Sequence, residues 1–240
     1  MAVIEWRKEN CVAVITMCNG ANKQNLEFQK QLNQCFDEIL EDKNIYSIVL
    51  TSSDEKNFSQ GIDIEWMGSK MQEKDFESMK SFMYGMNTIF KRILLMPIPV
   101  IAAINGHAFG NGAILACACD FRFMKKDRGF FCFPEVDVSI PFLPGMISFV
   151  RKSIPEPKFN EMILSGKRMT AQELVSSGVI MKACDDQETL MADAMRFAGT
   201  FMKKRGIFGE LKKRLHKEIV HTIDTQDPIH IDALDLFVNE

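Results

Sequence analysis

The sequence predicts an α/β fold in which strand–strand–helix units recur through the first half and helices take over after residue 140. Three observations carry this reading. Short β-branched apolar runs alternate with segments whose apolar residues fall at i, i+3 and i+4. Glycine-bearing turns separate the two kinds of segment. The composition, 46% hydrophobic and 25% charged over 240 residues, suits one large domain that buries roughly 70% of its unfolded surface without metal or disulfide staples.

Taken in order, residues 2–8 and 11–17 read as two strands around Glu9-Asn10, the second (CVAVITM) mostly β-branched. The polar stretch NGANKQN at 19–25 makes a loop, and Asn25 can cap a helix whose apolar positions are Leu32, Cys35, Phe36, Ile39 and Leu40. Residues 46–51 (YSIVLT) form a buried strand. A helix over 74–96 carries Met79, Met83, Met86, Phe90 and Ile93 on one stripe and ends at Pro97. A strand at 98–104, a glycine-bearing turn, a short helix at about 110–118 and strands near 120–124 and 130–133 follow. Thr170 and Glu173 have capping-box spacing, and Gly178 stands where that helix should stop. Residues 186–204 and 207–224 read as two helices broken at Gly206, the second with Leu211, Leu215 and Ile219 on one face. Residues 1–185 thus form the α/β core, and 186–240 a helical extension of it. No repeat of fixed period is visible.

Several function classes are excluded by composition. The net charge is −3, the sequence pI about 5.9, and no long basic run suggests nucleic acid or an anionic membrane. Seven cysteines, at 11, 18, 35, 117, 119, 132 and 184, form no CxxC pair and have no histidine at zinc-finger spacing. They read as buried thiols of a reducing compartment, with no metal site. MAVIEWRKEN lacks the apolar core of a signal peptide, no apolar run reaches membrane-spanning length, and FVNE is not a peroxisomal address. A cytoplasmic location is the expectation.

Two turns point toward chemistry. In FSQGIDIEW (58–66), Gly61 permits a backbone shape that a side chain would forbid, and Asp63 can cap the next helix. In INGHAFGNGAILA (104–116), Gly106, Gly110 and Gly112 bring a strand end close to a helix N-terminus, whose free N–H groups favour negative charge. Either turn alone marks nothing more than tight packing. Together, two turns each offering an N–H can build an oxyanion hole. His107 and His216 read as structural histidines, and no Ser-His-Asp order or metal-ligand cluster stands out.

These two turns, the Pro-Glu at 134–135 after the next strand pair, and LSGKRMTAQELVSSGVI at 164–180 resemble the crotonase superfamily in order and spacing over residues 2–185. The resemblance implies a crotonase-like spiral of ββα units followed by C-terminal helices used in trimer assembly, as a homotrimer or dimer of trimers. It implies an acyl-CoA thioester as ligand, with coenzyme A part of the substrate and no separate cofactor. By position, the oxyanion donors are the backbone N–H groups of Ile62 and Asn111. An Asn stands where the family has a middle glycine, which leaves the backbone donor in place but can narrow the hole. The resemblance also sets the CoA adenine against the loop around 59–63, with Ser59, Gly61 and Asp63, together with Gly110, contacting the ligand. Lys23 would approach the phosphates, unless it is only a solvated loop lysine.

Members that hydrate enoyl-CoA typically carry two glutamates. Here one of those positions holds Ile114, which can neither carry nor position a proton, and the other holds Glu135. Glu135 follows an apolar run, and an apolar site raises a carboxyl pKa toward neutrality, which suits a base that must return its proton. Asp137 would point the same way if the strand alternation continued, making it a possible partner base. A lone glutamate beside an oxyanion hole resembles the Δ3-Δ2 enoyl-CoA isomerases of the superfamily. The alternatives are an enoyl-CoA hydratase or carnitinyl-CoA-type racemase, and an acyl-CoA-binding homologue without turnover. A dienoyl-CoA isomerase is disfavoured because Leu143 stands at its second acid. The Met/Phe stripe of 74–96 reads first as a core face and second as the lining of an acyl tunnel.

Overall fold

Beyond the opening hairpin, each strand–strand–helix unit sends its first strand to one sheet and its later strands to others. A computed structural model describes residues 2–238; Met1 and residues 239–240, the last two of FVNE, lie outside the described residues. The chain begins with a hairpin of β1 (Ile4–Glu9) and β2 (Val12–Met17) that turns through Asn10 at φ +55°, a conformation asparagine tolerates. Then come β3 (Lys23–Gln24) and α1 (Leu26–Glu41). The second unit runs β4 (Ser47–Ser52), β5 (Asn57–Ser59), β6 (Gly61–Ile62), α2 (Ile64–Gln72) and α3 (Phe76–Leu95). The third is β7 (Val100–Ile104), β8 (His107–Phe109) and α4 (Asn111–Ala118), and the fourth is β9 (Phe121–Lys125), β10 (Phe131–Cys132) and α5 (Pro144–Arg151). After these come α6 (Glu156–Ser165), α7 (Ala171–Ser176), β11 (Lys182–Cys184), α8 (Gln187–Ala198), α9 (Arg205–Leu215), α10 (Lys217–Thr225) and α11 (Asp227–Ala233).

The hairpin, the first strand of each later unit and β11 form a six-stranded sheet of order β1-β2-β4-β7-β9-β11, parallel except for the opening hairpin. The later strands form a parallel three-stranded sheet, β10-β8-β5, and a pair, β3-β6. Both faces of the large sheet are covered, so its central strands are buried throughout, and the polar Ser47, Thr51 and Ser52 of β4 bond to main-chain carbonyls. Ile48, Leu50, Val100, Ala102 and Ile104 face the main core, while Val49, Ile101 and Ala103 face Leu190, Ala194 and Ala198 of α8.

The expected caps are present. Asn25 Oδ1 accepts the Phe28 N–H at 3.1 Å, Asp63 Oδ1 accepts that of Trp66 at 3.2 Å, and Thr170 and Glu173 close a reciprocal capping box. The C-terminal helices depart from expectation. α8 stops at Ala198, well before 204, and Gly206 lies inside α9 rather than between helices. The intervening chain turns at Gly199 and Thr200 and is extended at Lys204, and the Arg205 guanidinium, donating to the carbonyls of Leu40, Asp42 and Ile45, anchors the start of α9. The break within the expected second helix falls at His216, between α9 and α10. The strands of two and three residues, and α11, are too short to leave a readable period. All seven cysteines are unpaired, and among the described residues no helix is long and apolar enough to cross a membrane.

One buried carboxylate secures the C-terminal helices. Asp227, at the start of α11, is fully buried; its Oδ1 accepts the Gly145 N–H of α5 at 2.7 Å and its Oδ2 accepts from Asn87 Nδ2 of α3 at 2.9 Å. Burial pushes its pKa up, opposed by those two bonds. Asp227→Ala orphans two buried donors and should cost about 2–4 kcal/mol in urea unfolding. A loss under about 1 kcal/mol would show that α11 is held by its apolar contacts instead.

Candidate active site

Three of the short strands end side by side, and the residues that follow them meet. β6 ends on Ile62, β8 leads through Gly110 into Asn111 of α4, and β10 leads through Pro134 to Glu135. The first two are pressed together by glycines. Gly61 has φ +82°, and a Cβ there would lie 2.8 Å from the Phe109 carbonyl oxygen and 2.9 Å from the Asn111 nitrogen. A Cβ on Gly112 would lie 2.4 Å from the Ser59 carbonyl oxygen. No side chain fits at either place without moving backbone.

The backbone N–H groups at this junction are oriented by the elements that carry them. Asp63 N–H donates to the Gln24 carbonyl at 2.9 Å, and alternate residues of a strand face opposite sides, so the Ile62 N–H is turned away from β3. Asn111 is the first residue of α4, where N–H groups have no intrahelical acceptor. The opposite end of α4 is crowned by cations: Arg122 donates to the carbonyls of Ala116 and Cys119, and Lys152 to those of Cys117 and Cys119. Positive charge there complements the helix dipole and leaves its positive end directed at the junction.

The junction opens into a cavity of about 590 Å³. Ile62, Gly110, Asn111, Ile114 and Glu135 line it, with Met67 and Met71 of α2, Met83 of α3, Leu143 and Met146 beyond them. Residues 236–238 form a strap along another wall, where the Val238 N–H donates to the Ser139 carbonyl at 3.0 Å. Glu135 Oε1 lies 3.4 Å from where a Cβ on Gly110 would be, and its Oε2 is buried with no hydrogen-bond partner among the described residues. Burial pushes the Glu135 carboxyl up to about 7. A carboxyl poised near neutrality, in an apolar cavity beside free N–H donors, can take a proton from a bound molecule and give it back.

The sequence-predicted residues divide. Ile62, Gly110, Asn111, Ile114 and Glu135 come together at the cavity. The Asn111 side-chain amide is turned to the interior, where Nδ2 donates to Gln24 Oε1 at 2.6 Å and Oδ1 is buried. Ser59, expected to contact the ligand, is instead fully buried, its hydroxyl donating to the Asn22 carbonyl at 2.7 Å and accepting the Gly61 N–H at 3.1 Å. Gly61 is packed against α4 and Asp63 caps α2, so neither lines the cavity. Lys23 is partly exposed and pairs with Glu65 at 3.2 Å, one residue from the cavity-lining Ile64. The strand alternation that would have aimed Asp137 with Glu135 does not exist. β10 has ended, the Asp137 N–H donates to Pro134 in a turn, and the exposed carboxylate sits against Gly166.

His107 is structural: its Nδ1 accepts the Phe130 N–H at 3.2 Å, and Phe109 and Phe130 pack on its ring. His216 is buried beside Lys152 and Lys212, which, with burial as the larger cause, pushes its pKa down to about 4. Among the described residues no His, Cys, Asp or Glu cluster could hold a metal ion. Of the Met/Phe stripe, Met83 reaches the cavity while Met79, Met86 and Phe90 are core. Met67, Met71 and the strap were missed. The helical period of α2 was open to reading, but nothing local marks a strap that arrives from the far end of the chain.

Residues 7–239 match the family model described as "Enoyl-CoA hydratase/isomerase". Over 181 residues, 72% of this chain and 75% of the relative, the sequence is 30% identical to the peroxisomal enoyl-CoA delta isomerase 2 of Arabidopsis thaliana. It is 28% identical to a short-chain-enoyl-CoA hydratase of Clostridium acetobutylicum, over 91% of this chain and 82% of that one. The structure superposes with a TM-score of 0.85 on an enoyl-CoA hydratase/isomerase family protein from Pseudomonas syringae, at 19% identity over 96% and 97% of the two chains. That likeness establishes the shared fold.

A carboxyl raised from 4.5 to about 7 on folding binds more protons in the folded than in the unfolded chain between those values. Stability therefore falls as pH rises from about 4.5 to about 7, and above that the penalty is complete, roughly 3 kcal/mol. Glu135→Gln removes the titration. The variant should melt higher than the parent at about pH 8, with the gap closing toward about pH 5. A pH-independent gap would mean that Glu135 is not desolvated.

Proposed function

The chain belongs to the enoyl-CoA hydratase/isomerase family, and within it we propose that it is a Δ3-Δ2 enoyl-CoA isomerase with Glu135 as its single proton carrier. One observation carries this reading: among the described residues Glu135 is the only carboxylate lining the cavity, and Ile114, at the position where the resemblance puts the second glutamate of hydrating members, lines it too. The similarity to a relative named enoyl-CoA delta isomerase agrees with it.

In the proposed reaction the Glu135 carboxylate takes a proton from C2 of a 3-enoyl-CoA. The C2–H electron pair moves into a dienolate, whose oxygen accepts from the N–H groups of Ile62 and Asn111. The same carboxyl returns the proton at C4, leaving the double bond between C2 and C3 and Glu135 ionised again. No electrons enter or leave, so the shuttle requires no cofactor beyond the CoA of the substrate. Each donor would contribute roughly 3 kcal/mol. A pKa about 7 suits both halves of the shuttle. Hydration would in addition require a water held and activated by a second polar group, which an isoleucine cannot provide. Lys23 is proposed to leave Glu65 for the CoA phosphates.

We further propose that the chain assembles as a trimer or a dimer of trimers. Ile207, Leu211 and Leu215 of α9 form an i, i+4, i+8 stripe left 58%, 58% and 75% exposed, an apolar face suited to burial against another copy.

Purified protein should convert trans-3-hexenoyl-CoA or a longer homologue to the 2-enoyl isomer and hydrate crotonyl-CoA poorly. Its kcat/KM should rise with pH and level off above about 7, because the free enzyme must be ionised to act as base. Glu135→Gln should lower kcat by about 10² to 10⁴ with little change in acyl-CoA binding. Fast hydration without isomerisation would refute the assignment. Sedimentation should give three or six copies, and Leu211→Glu with Leu215→Glu should dissociate them; a monomeric parent would refute the assembly.

A further inference from the structure

Asn111 and Gln24 lie 87 residues apart, are both buried, and have side chains that the proposed mechanism does not use. We propose that Gln24 is a positioning residue which, through its amide bond to Asn111, locks the two oxyanion donors into one spacing. The inference rests on the isomerase reading and adds to it a residue outside the cavity.

Gln24 grips both halves of the junction. Its main chain pairs with Ile62 in the β3–β6 ladder, and its carbonyl accepts the Asp63 N–H at 2.9 Å. Its side-chain Oε1 accepts from Asn111 Nδ2 at 2.6 Å. Its Nε2 donates to Ser59 Oγ at 3.3 Å, and that oxygen accepts the Gly61 N–H at 3.1 Å. A continuous buried path therefore runs from the first residue of α4 to the residue before Ile62 through Gln24 and Ser59 alone.

The first turn of α4 is in need of such a hold. Its N-cap is Gly110 at φ +51°, with no side-chain cap, and Gly112 follows Asn111, so two of three consecutive residues lack a Cβ. Asn111 Oδ1 has no partner among the described residues, which leaves the bond to Gln24 as that side chain's one tether. In a dry interior neither amide can exchange its partner for water, so the bond is expensive to break and directional. The asparagine that replaces a glycine here thus does not obstruct the site; it anchors the donor from behind. Its effect should fall on the charge developing at the thioester oxygen, since the Gln24 and Asn111 side chains are buried and bonded to each other, and neither is among the groups proposed to meet CoA.

The test reads that oxygen directly. Hexanoyl-CoA carrying ¹³C at the thioester carbonyl is bound to the full chain and its C=O band followed by isotope-edited infrared spectroscopy, alongside kcat, KM and melting temperature. In the parent the bound band should move to lower frequency. Gln24→Leu should lose about half of that displacement and about tenfold in kcat, with KM and the hexanoyl-CoA Kd within about threefold. Asn111→Gly should behave alike, and the double variant should be no worse than the poorer single one, because the two side chains act as one unit. Lower melting temperatures with an unmoved carbonyl band, or additive losses in the double variant, would overturn the latch. Should Gln24→Leu fail to fold, Asn111→Gly decides alone: a full carbonyl displacement overturns the latch, a partial one supports it. A parent that displaces the band but does not isomerise would overturn the isomerase reading and leave the latch standing or falling on the variants. A parent that binds hexanoyl-CoA without displacement would overturn both.

Discussion

Backbone contact between β6 and the first turn of α4 is the constraint on which the rest of this structure depends. It exists because Gly61 and Gly112 bring no Cβ to a space where one would lie within 3 Å of main-chain atoms. Two segments of neighbouring ββα units therefore touch main chain to main chain, and N–H groups from separate units converge on one volume. A side chain at either glycine would force those main-chain segments apart. The large sheet, by holding β4, β7 and β9 in parallel register, delivers the later strands of those units to the same edge.

Polar and apolar environments are segregated on the two sides of that contact. Behind it lies a buried network of Asn22, Gln24, Ser59 and Asn111, paired with main chain and with one another. In front lies a wall of methionine, leucine and isoleucine around one carboxyl. The network specifies geometry and the wall sets proton affinity. Glu135 is unfavourable to folding for the reason that suits it to the proposed proton shuttle: its charge has lost water and gained no ion partner. Methionine suits the wall because an unbranched thioether chain adapts to varied apolar shapes.

Much of this was readable in the sequence because it rests on local chemistry. Asn25, Asp63 and the Thr170–Glu173 pair cap helices through bonds to residues three positions away. The glycine positions and the apolar run before Glu135 are likewise properties of short stretches, and the resemblance to the crotonase superfamily that they carry implied the five residues that meet at the cavity. Errors arose where a distant partner overrides local pattern. Arg205 reaching three carbonyls near the end of α1 anchors the start of a new helix where periodicity continued the old one. A turn bonded to Pro134 sends Asp137 outward where alternation sent it in.

The sequence by itself determined the alternation of strands and helices, the two glycine turns, and the carboxyl of Glu135 placed after an apolar run. Each of these follows from which residue stands where, since φ, capping and ionisation are chosen over a few positions. Only the tertiary structure decided that Ser59 faces the interior, that the Asn111 side chain turns to Gln24, and that a strap at 236–238 closes a wall of the cavity. Those outcomes depend on where main chain from remote segments arrives, and whether a side chain meets a partner or a cavity is settled by packing that no single stretch encodes.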